Sequence, residues 1–293
     1  NTVDNNLRYV GSNPNNYVSF NNELWRIIGV MNNIDDGTGE KETRLKLIRN
    51  ESIGNYSWDN KLNGIGSSTD SYGSNDWSDS RLMMLLNPGY EALNSPIYEY
   101  EGSIYFNGKK GTCYNGSESS TTPCDFTEIG IQNDMYRNMV QNTVWKLGGI
   151  KSNSNIVSAF YNDERNSTVY TNRPTEWTGK IGLIYPSDYG FATAGGNNIN
   201  RDTCLQINLG SWNEYADCYD NDWLYHENFY QWSITSVSTS NRIVYGIAGS
   251  GSVNTGYTNF VPGVVYPVIF LKFDLKFASG TGDINNPYTI LLE

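Results

Sequence analysis

The sequence is short of the side chains that most chemistry uses. Its 293 residues hold one histidine, four cysteines and nine prolines, and only 17% are charged, against about 25% in ordinary globular domains. No run of eighteen apolar residues occurs, and the longest candidate, Val264 to Leu271, is strand-sized. No membrane-spanning helix is therefore expected. The chain opens in polar sequence at Asn1 without the basic and then apolar segments of a signal peptide, and so reads as a mature or trimmed product. Basic residues are scarce: 20 Lys and Arg face 31 Asp and Glu, giving a net charge of −11 and a pI near 4.6. Such a chain is repelled by nucleic-acid phosphates and by anionic membrane surfaces.

Uncharged polar residues fill the gap. The sequence carries 29 Gly, 22 Tyr and roughly forty Asn. Aromatic residues at 14% argue for a folded chain, because disordered segments are poor in them. The length is ample for a substantial core, and no linker splits the chain, so one domain over residues 1–293 is expected.

The cysteines form two local pairs, Cys113/Cys124 and Cys204/Cys218, each spanning a polar loop, TCYNGSESSTTPCDF and TCLQINLGSWNEYADC. Four cysteines allow three connectivities, and the local one is favoured because each bridge would order a short loop that little else holds. A zinc site would need tighter Cys and His spacing. Disulfides in loop-rich sequence point to an oxidising, extracellular or cell-surface location.

Tyr17–Val30 reads as a hairpin turning at Asn21 and Asn22, with Leu45–Arg49 as a third strand. Between Asp76 and Leu93, Leu82, Leu85, Leu86 and Tyr90 recur at helical spacing, with Ser78 or Asp79 as N-cap and Pro88-Gly89 as the stop. A second helix is predicted from Asp134 to Leu147, capped by Asn133 or Asp134 and ended by Gly148-Gly149. From Ile150 onward short strands dominate: Ile181–Tyr185, Trp232–Thr235, Ile243–Ile247 and Tyr266–Phe273, the last apolar enough for the interior of a sheet. The class is α+β, with two main helices, small antiparallel sheets and long disulfide-pinned loops.

LWRIIGV, NDWSDSRLMMLLNPGY, IGLIYPSDYGFA, NDWLYHENFYQWSITS and VVYPVIFLKFDLKFASGTGDINNPYTI follow one another along the chain. Their order and wording resemble surface proteins of gut-dwelling Gram-positive bacteria with a C-type-lectin-like fold. That fold is seen in formylglycine-generating-type domains and in variable proteins of diversity-generating retroelements. The resemblance covers most of the chain and is most specific in its last block. It implies chain ends that meet in one sheet, and a candidate variable ligand-binding region at residues 223–267. In such regions, mutation of Asn codons yields Asn, Tyr, Ser, Asp, His, Ile and Phe, a palette compatible with this interval. An ordinary polar loop-and-strand surface suits it as well.

Candidate chemistry is thin. His226, with Glu227 and Asp222 near it in sequence, has no nucleophile elbow to serve and reads as a surface residue. The enzymes of the resembled superfamily work through reactive cysteines, and local pairing accounts for all four here, so catalysis is not expected. Asp35–Glu40 and Tyr219–Asp222 are rich in oxygen ligands, but neither matches a twelve-residue calcium loop. No metal or other cofactor is called for. What remains is a recognition surface, since Tyr, Ser, Asn and Gly are the residues that binding loops favour. The densest run is Tyr225, His226, Glu227, Asn228, Phe229 and Tyr230. Asn241, Arg242, Tyr245, Asn254, Tyr257, Asn259 and Phe260 extend it, while Trp223, Trp232, Ile234, Val268 and Phe270 are assigned to the core. The expected partner is a protein or glycan on another cell or surface. A pilus-like or surface-layer subunit, and a glycan-active or formylglycine-generating-type enzyme, are the alternatives.

Overall fold

A computed structural model describes residues 4–61, 73–91, 94–95, 98–99, 102–116, 120–259 and 263–291. Its centre is the hairpin read from the sequence. Tyr17–Phe20 pairs antiparallel with the long strand Glu23–Asp35 through Asn21 and Asn22, both at φ 59°. Asn tolerates that left-handed conformation, which a two-residue hairpin turn requires. Lys41–Arg49 pairs along the other side of Glu23–Asp35, and Val268–Lys272 pairs beyond it. Tyr288–Ile290 joins the far side of Tyr17–Phe20 in parallel, with Tyr288 opposite Val18. Residues from both ends of the chain thus sit side by side. Short strands at Ile181–Gly182, Phe277–Ser279 and Leu7–Arg8 complete an eight-stranded sheet.

A second sheet of four strands runs in the order Val253–Tyr257, Ile243–Ile247, Tyr230–Ser236, Gly263–Val264. Two indoles knit it to the Tyr56–Trp58 segment. Trp58 Nε1 donates to the Ser233 carbonyl at 3.0 Å, and Trp232 Nε1 donates to the Tyr56 carbonyl at 2.8 Å. Both rings are fully buried, so each needs an acceptor for its N–H, and each finds one on the opposite element. Gly263 is required there, since a Cβ would lie 2.0 Å from Trp232 Nε1.

The helices are shorter than the apolar spacing predicts. The first runs over Arg81–Leu86, after a 3₁₀ turn at Trp77–Asp79, and its N-cap is Ser80, not Ser78 or Asp79. The second begins under its Asn133 cap but stops at Met139, and Thr143–Lys146 is a strand paired with Glu176–Gly179. The β-branched and aromatic run Thr143-Val144-Trp145 fits a pleated surface, and Trp145 is buried there. The predicted strand Ile181–Tyr185 also breaks early. Pro186 opens a helix, Pro186–Ala192, in which every residue is buried. Pro is favoured at the first helical position, but a helix buried all round shows no amphipathic period to read. Val157–Glu164 is a further helix that the pattern did not reveal.

Both disulfides follow the local pairing. Cys113–Cys124 bridges the hairpin of Lys110–Tyr114 and Thr121–Asp125, and Cys204–Cys218 joins the short helices Arg201–Cys204 and Ala216–Tyr219. The class is mixed α and β, dominated by strands. No helix among the described residues is long and apolar enough to cross a membrane.

Candidate functional site

The expected ligand-facing interval maps onto the four-stranded sheet and the loops at its ends. Tyr230–Ser236 and Ile243–Ile247 are almost entirely buried, so exposure is concentrated on the outermost strand and the loops. In Val253–Tyr257 only Val253 is buried, while Asn254, Thr255 and Tyr257 are exposed without alternation. Residues exposed on both pleat faces mark a strand that stands clear of the core.

The predicted residues divide sharply. Glu227, Asn228, Phe229, Asn241, Asn254 and Tyr257 face solvent, with Phe229 and Tyr257 each 50% exposed. Arg242 and Asn259 are partly buried, and the Arg242 guanidinium lies 4.8 Å from the centroid of the Tyr257 ring. Tyr225 and Tyr230 brace the surface from within. The Tyr225 hydroxyl donates to the Gly249 carbonyl at 2.8 Å, and the Tyr230 hydroxyl donates to the Asn254 carbonyl at 3.1 Å. Tyr245 corrects the expectation: it is 1% exposed and packs edge-to-face on Phe160 at 5.6 Å. Its strand has a neighbour on either side and the helix Val157–Glu164 behind it, which leaves no open face at that position. Phe260 lies outside the described residues.

His226 is not the free surface residue expected. Its ring stacks on Tyr266 with centroids 4.6 Å apart. Burial first, and the charge of Arg26 second, push its pKa down to about 4. Arg26 itself is buried between the rings of Tyr17 and Trp223, each 4.3 Å away. Burial pushes the neighbouring Asp222 carboxyl well above its usual range, although the Leu224 amide donates to it. The 222–226 turn is therefore anchored from below by interior side chains. Between Asn228, Phe229, Tyr230, Gly249, Asn55 and Val264 the surface dips into an open depression of about 580 Å³.

In the oxygen-rich segment Asp35–Glu40 the aspartates accept from neighbouring donors. Asp35 accepts from the Gly37 amide, and Asp36 accepts from the amide and hydroxyl of Thr38. Among the described residues no group of three or more His, Cys, Asp and Glu side chains is arranged to hold a metal ion.

A second locus was not legible as a site. Lys46, the second residue of LKLIR, is buried and meets the buried Asp188 at 2.5 Å, beside a cavity of about 410 Å³. Glu164, fully buried, accepts from the Ser187 amide and hydroxyl and pairs with Arg165. Burial first pushes the Glu164 carboxyl up, to about 7, against the Arg165 charge. The available signal was a lone lysine flanked by leucines in an interior strand. Its partner lies 142 residues away, beyond any local pattern.

No family model matches the chain, and no curated protein or solved structure is significantly similar to it.

Proposed function

We propose that this chain is an extracellular binding protein of C-type-lectin-like fold, and that its face at residues 225–259 meets a protein or glycan on another cell or surface. The observation that carries the reading is the pair of half-exposed aromatics, Phe229 and Tyr257, set among exposed Asn and Thr. The tyrosines behind them are tied to the carbonyls of Gly249 and Asn254. Exposed aromatic rings on a braced scaffold lose little conformational freedom when a ligand covers them. Within residues 225–259 the ionisable side chains, apart from the tyrosines and His226, are Glu227 and Arg242, which suits a neutral glycan or a polar protein patch. Two disulfides agree with an oxidising location.

The test is the double substitution Phe229→Ala, Tyr257→Ala, read against panels of immobilised glycans and against intact cells. Binding should be lost while the melting temperature stays within a few degrees of the parent. Retained binding, or a collapsed fold, overturns the reading. Diversification within residues 223–267 belongs to the same proposal. It would fall on exposed positions such as Asn228, Asn241 and Asn254, and not on the sealed Tyr245. A reverse transcriptase and a matching template repeat in the flanking DNA would support it.

A further inference from the structure

Lys46 and Asp188 differ from the other lysine–carboxylate pairs of the described chain. Lys61–Asp79, Lys110–Asp125 and Lys146–Glu176 all lie at the surface, with side-chain exposures of 20% to 71%. In Lys46–Asp188 the side chains are 2% and 1% exposed. The lysine sits in an interior strand with Gly29 and Phe270 as its register neighbours, and the aspartate is in the first turn of the buried helix Pro186–Ala192. Aromatic rings close around the ammonium: Tyr185 at 4.7 Å, Phe270 at 5.6 Å and Trp145 at 5.9 Å.

We propose that Lys46 and Asp188 form an intramolecular amide, a covalent cross-link between the main sheet and the Pro186–Ala192 helix. The chemistry balances with the two side chains alone. The proton on Nζ passes along the existing contact to Asp188 Oδ2. The freed amine then attacks Cγ, a C–N bond forms, a C–O bond breaks, and one water leaves with the second amine proton. No oxidant or activating co-reactant is consumed. The Tyr185 amide donates to Asp188 Oδ2 at 2.9 Å and polarises the carboxyl under attack.

Two further features favour the step. Burial holds the Lys46 pKa below its usual value, and although Asp188 opposes this, the charges of Arg165 and Arg8 add to it, favouring the nucleophilic amine. Condensation is unfavourable between free groups in water. Groups held in reacting position gain effective concentrations of about 10⁵–10⁸ M, and amide formation also removes two buried charges that are costly to desolvate. The adjoining cavity gives the released water an exit.

The experiment is intact-protein mass spectrometry after disulfide reduction, followed by peptide mapping. The expected mass is one water below that of the sequence, with a branched peptide joining residues 46 and 188. Asp188→Asn should give the same final mass, because the asparagine reacts with loss of ammonia and yields the identical amide. Lys46→Arg should show the full mass. A reduced wild-type mass equal to that of the sequence, with separate peptides, overturns the proposal and leaves a buried ion pair.

Discussion

The imidazole of His226 lies flat on the phenol ring of Tyr266, with the two planes 3° from parallel. Because His226 is the only histidine, its titration can be followed without assignment. Its imidazole proton resonances should stay unshifted through neutral pH and move only near pH 4, where the half-buried ring protonates. In the unfolded chain the same ring titrates near its ordinary value of 6.5. The folded pKa is the lower one, so this contribution to stability is complete above 6.5. It declines as pH falls toward 4, by no more than about 1.4 kcal/mol per pH unit. His226→Gln should flatten that part of the denaturation profile. A midpoint near 6.5 in the folded protein would show an open ring.

Glu164 acts in the opposite sense. Its folded pKa, pushed up to about 7, lies above the ordinary 4.5. Its stabilising share is complete below 4.5 and fades as pH rises through 7. Glu164→Gln keeps the hydrogen-bonding shape and should remove the part of the alkaline decline that this carboxyl causes. Urea midpoints from pH 5 to 8 measure it.

Tyr245→Ala should destabilise the protein by about 3–5 kcal/mol, the cost of emptying a large buried aromatic site. Tyr257→Ala should cost less than about 0.5 kcal/mol, as for most surface substitutions. Chemical denaturation of the two variants separates them. Equal effects would contradict the division between core and face.

Removing the Cys204–Cys218 bridge by paired Ser substitution should cost about 3 kcal/mol, the entropic value for a loop of this size. It should also loosen the joined helices Arg201–Cys204 and Ala216–Tyr219. Proteolysis in the 204–218 loop under native conditions reads the second effect.

The main sheet was legible in the sequence to the extent that its strands state themselves locally. Asn21-Asn22 marks the hairpin, and the apolar run Tyr266–Phe273 marks a strand with a neighbour on each side. Trp223, Trp232 and Val268 were assigned to the core by composition and are buried. The helix Pro186–Ala192 was hidden because all its residues are interior, and Asp134–Leu147 was overextended because apolar spacing alone cannot tell Thr143-Val144-Trp145 from another helical turn. At the candidate face, residue type identified which side chains suit recognition. It could not separate Tyr257 from Tyr245, since that difference depends on which strand ends the sheet and which is covered by Phe160. The Lys46–Asp188 meeting was out of reach for the same reason: only the finished topology brings it together.

That topology also sets a timetable for synthesis. Tyr17–Phe20, Glu23–Asp35 and Lys41–Arg49 are synthesised before both of their outer partners, Tyr288–Ile290 on one side and Val268–Lys272 on the other. Until Val268–Lys272 is translated, the nascent chain carries two unpaired apolar strand edges, the kind of template that invites pairing with a neighbour. This sheet is therefore expected to close only after Tyr288–Ile290 has been made. Holdase chaperones would serve this protein by keeping those edges apart until their own partners arrive.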